Sequence, residues 1–239
     1  MKEPAEQQDD AVGYHSLLRD LAHEGCPACR GASRAAWRAI GAILWESVND
    51  SGIRTQLRAS HGFCREHALM AISVAEERAL SSGMAIMYED FLRHVREDAI
   101  AAVADFAKRG RSRRDIHPRS GCLPCSSVRR VASNYIFIMS RAAADSEVGV
   151  AARQTGRFLC LPHLRQGLLE ARSQEDAERL LRLFCEGEEG IRRDLLEFAR
   201  KHDYRYQAEG MSHEEATSWL GAVYQMIGGP PPSRSSEID

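Results

Sequence analysis

Cys26 and Cys29 form a CxxC pair, and Cys64 and His67 follow as CxxH. The same four residue types return at Cys122, Cys125, Cys160 and His163, each displaced by 96 residues, with no insertion or deletion between the ligand positions. Three thiolates and one imidazole make a closed tetrahedral shell of the kind that zinc takes in structural sites, and soft sulfur donors select against magnesium or calcium. Four protein ligands leave no open position for a catalytic water. Each CxxC is expected to close with the CxxH that follows it. Cys26, Cys29, Cys64 and His67 would then share one ion and Cys122, Cys125, Cys160 and His163 a second, giving two zinc per chain. Each ion would span the 35 residues from Cys29 to Cys64, or from Cys125 to Cys160. Because the unfolded chain has no preformed site, binding energy would become folding energy.

Other chemistry competes for these residues. An iron-sulfur cluster accepts a histidine ligand, although four cysteines are its usual set. A thioredoxin-like dithiol needs a βαβ context, and nowhere does a sustained period-two, β-branched run indicate strands. Covalent haem attachment needs a histidine directly after CxxC, where Arg30 and Ser126 stand instead.

The elements that must position the ligands read as helices. Tyr14, Leu17, Leu18 and Leu21 recur at helical spacing ahead of the first knuckle, and Ala36, Ala39, Ile40, Ile43 and Leu44 mark a helix from Arg30 to about residue 48. Asn49-Asp50-Ser51-Gly52 ends it, and a loop is expected up to Gly62. The CxxH of Cys64 and His67 falls on the first turn of a helix to Leu80, with both side chains on one face. Met84 to Lys108 is a longer helix with Tyr88, Phe91, Leu92, Val95, Ala99, Val103 and Phe106 on one stripe. The second half repeats the plan: a helix from Ser126 to Arg141, a loop, a helix opened by Cys160 and His163, and a long helix from Gln174 to Arg200. A capping box at Ser212 and Glu215 opens one more helix, which Gly228-Gly229-Pro230 stops. The expected architecture is all-α, as two pseudo-repeats with an extra C-terminal helix. Residues 1–10 and 230–239 are expected to be disordered, 11–109 and 121–229 to be the metal-binding repeats, and 110–120 a basic linker.

Composition narrows the partners. A formal charge of -2 and a pI near 6.5 give no global reason to bind nucleic acid. The segment from Lys108 to Ser120 carries six Lys or Arg and could touch phosphate, but no aromatic residues interleave with it as stacking platforms. No apolar run is long enough for a membrane span, and no apolar signal core follows Met1, so a cytoplasmic location is expected. Cys185 stands outside the motif and reads as a small buried hydrophobe. Glu188 falls on an apolar stripe, and Gly187 and Gly190 are expected to break the helix and turn it to solvent.

Cys26-Pro27-Ala28-Cys29 followed by Gly62-Phe63-Cys64-Arg65-Glu66-His67 resembles an uncharacterised bacterial domain-of-unknown-function family marked by CPxC and GFCxxH. The resemblance continues through Ser82-Gly83-Met84-Ala85 to the stretch from Glu197 to Arg205, and so covers most of the chain. The second half departs from it, since Cys122-Leu123-Pro124-Cys125 moves the proline and Arg157-Phe158-Leu159-Cys160 lacks the Gly-Phe pair. The resemblance implies no activity. The expected function is a zinc-stabilised helical interaction or regulatory module with a protein partner. An iron-sulfur or thiol redox protein is the alternative. A third reading is an enzyme using Glu188, His202, Asp203 or Tyr204 between the halves.

Overall fold

The structure, a computed structural model, describes residues 4–110, 116–154 and 158–229. The chain is all-α. Among the described residues the helices are α1 (Pro4–Leu21), α2 (Pro27–Trp45), α3 (Ser51–Ala59), α4 (Arg65–Glu77), α5 (Ser81–Arg109), α6 (Leu123–Arg141), α7 (Glu147–Ala152), α8 (Leu161–Glu170), α9 (Gln174–Lys201) and α10 (His213–Ile227). Both ends of α2 and α6 are displaced by the same 96 residues that separate the cysteine motifs, as are the starts of α3 and α7 and of α4 and α8.

Two helices occupy stretches expected to be loop. Asp50 begins α3 rather than ending the preceding helix for good: its carboxylate accepts the Ile53 N–H at 2.7 Å, which satisfies a donor that the first turn leaves free. Ser146 does the same for α7 by accepting the Gly149 N–H at 3.1 Å. The N-terminal helix starts at Pro4, within the stretch expected to be disordered; proline suits a first helical position because its missing N–H would have no partner there. Residues 230–239 lie outside the described residues. Gly187 and Gly190 do not break α9, which runs through them, and Glu188 is partly buried.

The chain forms two compact units whose boundaries differ from the expected ones. One contains residues 1–33 and 130–239, the other residues 34–129, so both boundaries fall inside a helix, α2 and α6. The basic segment is not a separator. Residues 111–115 lie outside the described residues, but the Arg119 and Ser120 N–H groups donate to the Ala59 carbonyl at 2.7 and 3.2 Å, within the second unit.

The core of the first unit contains Leu17, Leu21, Tyr135, Ile136, Met139, Val148, Leu159, Leu164 and Leu180. Tyr135 is buried and donates its hydroxyl to the buried Asp20 carboxylate at 2.7 Å, which gives its polar tip a partner inside apolar packing. Its ring lies on Gly31, where a Cβ would stand 2.5 Å from a ring carbon. In the second unit Trp37, Ile40, Leu44, Leu57, Met70, Val74, Met87 and Phe91 are buried. Gly83 lets α5 approach α2 closely, since a Cβ there would sit 2.6 Å from the Leu44 carbonyl oxygen.

One buried charge orders the second unit. The Asp90 carboxylate on α5 is fully buried and is bound by Arg58 Nε at 2.7 Å, Arg54 Nη2 at 3.0 Å and Arg93 Nη2 at 2.6 Å. Burial would raise its pKa, but the guanidinium groups of Arg58 and Arg54 outweigh that and hold it down at about 2.

Candidate metal centres

The structure brings the eight sequence-designated ligands into two groups, and it exchanges their partners. Cys26 and Cys29 meet Cys160 and His163, here called site 1; Cys64 and His67 meet Cys122 and Cys125, here called site 2. The expected closure of each CxxC with the next CxxH is therefore overturned. Site 1 lies wholly within the first unit and site 2 wholly within the second.

The helix that each CxxC starts crosses a unit boundary, so each CxxC falls in a different unit from the CxxH that follows it. Each CxxC starts a 19-residue helix, α2 or α6, about 28 Å long at 1.5 Å per residue. The far half of α2 packs near the α4–α5 junction, with Gly41 beside Arg78 and Leu44 beside Gly83. The knuckle at its first turn belongs to the first unit, whereas Cys64 and His67, which begin α4, belong to the second. The far half of α6 packs in the first unit in the same way, Ile136 lying against Gly167 of α8.

Local geometry within each motif matches expectation. Cys64 and Cys160 are the N-caps of α4 and α8, both extended, with φ of -64° and -75°, which places His67 and His163 on the following first turn. Cys26 and Cys122 directly precede α2 and α6, and Cys29 and Cys125 fall on their first turns. Two helix N-termini thus converge on each group, and their positive ends favour the negative charge of thiolates.

In site 1 the His163 Nδ1 atom is 3.1 Å from Cys160 Sγ, 3.3 Å from Cys29 Sγ and 3.5 Å from Cys26 Sγ, and Cys29 and Cys160 sulfurs are 3.5 Å apart. In site 2 the His67 Nδ1 atom is 3.2 Å from Cys64, 3.3 Å from Cys125 and 3.5 Å from Cys122, with the Cys64 and Cys125 sulfurs 3.8 Å apart. A tetrahedral zinc with bonds of about 2.3 Å to sulfur and about 2.0–2.1 Å to nitrogen holds sulfur pairs roughly 3.8 Å apart and sulfur–nitrogen pairs roughly 3.5 Å apart. Both donor sets lie close to those edge lengths. All the cysteines are free, and the sulfurs are too distant for a disulfide bond of about 2.05 Å.

Without a cation the protons distribute differently in the two sites. In site 1, burial opposes ionisation of Cys26, but hydrogen bonds from Cys160, Cys29 and His163 prevail and push its thiol well below the usual range. Burial works against the charged form of His163 too, and the contacts with Cys160 and Cys26 raise it to about 10. Cys29 is pushed up, by its sulfur neighbours first and by burial second. Site 1 then resembles one thiolate–imidazolium pair with a protonated thiol beside it. In site 2, burial lowers His67 and raises Cys122, and burial with the charge of Cys122 pushes Cys125 up to about 12. Three thiols crowded this closely cannot all ionise without a positive charge among them, so a divalent cation would displace protons from both sites.

The sites also differ in cover. Cys26 and Cys160 are buried, whereas the three cysteines of site 2 are each partly exposed. Sequence reasoning missed one neighbour of site 1, the Gly229 N–H, which donates to Cys29 Sγ at 3.2 Å. Nothing in the sequence marked Gly229 beyond its place after a helix.

The remaining candidates do not form a site. Cys185 is exposed, contrary to the expectation of burial, because it falls on the outer side of α9. Glu188 and His202 are separated by 14 residues of helix and its cap, roughly 21 Å of rise. His202 Nδ1 pairs with the Phe198 carbonyl at 2.8 Å, Asp203 pairs with Arg205 at 2.7 Å, and Arg200 bridges Glu197 and Glu209, so this segment serves as a cap for α9. Among the described residues no helix is long and apolar enough to cross a membrane.

These features define a class: an all-α protein with two Cys3His groups able to hold metal, each built from two helix N-termini. Within that class the chain belongs to DUF6062, a family of unknown function, whose model matches residues 20–218. It is also similar to an uncharacterised 23.9 kDa protein encoded in the xynA 3' region of Caldicellulosiruptor sp. (strain Rt8B.4). The two are 24% identical over 212 residues, which cover 89% of this chain and 99% of that protein. No solved structure matches the chain.

Proposed function

We propose that this protein is a zinc-binding helical module in which two structural Cys3His sites hold a surface for a protein partner. The observation that carries the reading is the pair of donor tetrahedra, in which nitrogen stands 3.1–3.5 Å from each sulfur and the closest sulfurs stand 3.5 and 3.8 Å apart. Edges this short suit one ion, whereas a cluster of several irons keeps its ligand sulfurs further apart. The donor set is soft and closed, which favours zinc held for structure over zinc held for catalysis.

The partner surface is supported by α10, whose outer face exposes Trp219, Val223, Met226 and Ile227 at helical spacing, with Trp219 50% and Ile227 68% accessible. The metal at site 1 would clamp the starts of α2 and α8 in the same unit as α10, so that surface depends on its occupancy.

Purification without added metal, followed by elemental analysis and a visible spectrum, tests the assignment. About two zinc per chain and a colourless protein is the expected result. Iron with acid-labile sulfide and visible absorption would replace the reading with an iron-sulfur one, and a folded chain with neither metal would end it.

A further inference from the structure

Cys29 Sγ receives a hydrogen bond from a residue 200 positions away, the backbone N–H of Gly229 at 3.2 Å. Gly229 follows α10 directly, and the contact is close on all sides: a Cβ on Gly228 would stand 3.4 Å from the same sulfur, and one on Gly229 would stand 3.4 Å from Cys29 Cβ. Gly228 makes the approach by adopting φ +98°, a conformation that L side chains rarely take, while its N–H closes the helix on the Tyr224 carbonyl at 2.8 Å.

The other anchors of α10 are independent of site 1. Lys201 Nζ holds both oxygens of Glu215 at 2.8 and 2.7 Å, Gly221 packs on Ile191, and Gln225 donates to the Phe184 carbonyl at 3.1 Å. α10 is therefore fastened to α9 along its length, and the segment just past its end is fastened to a metal ligand. A metal-bound thiolate is a stronger and more firmly placed acceptor than a neutral thiol, and groups that hydrogen-bond a ligand orient it for the metal.

We infer that site 1 latches the end of α10 through the Gly229 N–H, so that the ion and the last turn of the helix stabilise one another. The inference rests on the metal-binding reading above and adds a direction to it: losing the ion frees the end of the helix that carries Met226 and Ile227. Gly229 acts as a positioning residue for Cys29. The latch lies beyond residue 218, where the family match ends.

Hydrogen exchange by mass spectrometry, on the full chain of known zinc content, tests it. Removing zinc with a chelator should speed exchange in residues 224–229 roughly tenfold or more, with a smaller change over 213–221. Gly229→Pro deletes the donor and keeps the other anchors. It should give the same faster exchange in the last turn with zinc present, and weaken zinc at site 1 roughly tenfold in chelator competition. Gly229→Ala keeps the N–H and should behave as the wild type. A protein that contains no zinc refutes the metal reading itself. A protein with two zinc in which Gly229→Pro changes neither zinc affinity nor exchange of the last turn refutes the latch alone.

Discussion

Replacing His163 with alanine separates the observed ligand pairing from the one that chain order suggests. The substitution removes the Nδ1 atom that stands 3.1–3.5 Å from the sulfurs of Cys160, Cys29 and Cys26. With reciprocal pairing, the thiols that lose protection are Cys26, Cys29 and Cys160, while Cys64, Cys122 and Cys125 remain bound. Closure within each repeat would release Cys122 and Cys125 with Cys160 and leave Cys26 and Cys29 protected. Alkylation of the native zinc-loaded variant, read by peptide mass spectrometry, distinguishes the two sets. Exposed Cys185 should label in every sample and serves as the internal standard. The energetic signature differs as well. The tie from Cys29 to Cys160 spans 131 residues and that from Cys64 to Cys125 spans 61. Treated as cross-links that restrict the unfolded chain, these are worth about 5 and about 4 kcal/mol respectively. Against a total stability of about 5–15 kcal/mol, His163→Ala should lower the unfolding midpoint sharply, and His67→Ala somewhat less. Labelling of Cys122 and Cys125 in His163→Ala, with Cys26 and Cys29 protected, would refute the pairing.

Two further outcomes follow from the second unit. Asp90 titrates near 2 when folded, below its ordinary 3.8, so it stabilises the protein above pH 3.8 and loses that contribution as pH falls from 3.8 through 2. The shift corresponds to about 2 kcal/mol. Denaturant titrations of wild type and Asp90→Asn from pH 6 downward should show a stability gap that narrows across that window, and a constant gap would contradict the assignment. Gly83→Ala puts a Cβ 2.6 Å from the Leu44 carbonyl oxygen, and backbone cannot swing aside. Urea unfolding should show a loss of about 1–3 kcal/mol, whereas a neutral result would mean that α5 and α2 separate freely.

The all-α class, the long helices α5 and α9 and the eight ligand positions were legible in the chain because each depends on residues a few positions apart. Apolar periodicity, the capping box at Ser212 and Glu215, and donors three apart at a helix start are local facts. The short helices α3 and α7 were harder, since Asp50 and Ser146 can stop one helix or cap the next, and only the direction of the following chain decides which. Cys185 and the glycines at 187 and 190 were misjudged for a related reason. The apolar stripe says that a helix has an inner face, and the neighbours that cover α9 say which side that is.

The sequence by itself determined the donor groups: three sulfurs and one nitrogen, twice, at helix starts. It did not settle which pairs meet: closure of each CxxC with the next CxxH was expected, yet either arrangement satisfies the same ligand count and the two differ in loop-closure cost by only about 2 kcal/mol. Tertiary structure decided the matter through α2 and α6. Each crosses a unit boundary and packs its far half by shape and burial, with Leu44 against Gly83 and Ile136 against Gly167. The first turn of each belongs to the other unit, and the CxxH that its knuckle meets is the one from the other half of the chain.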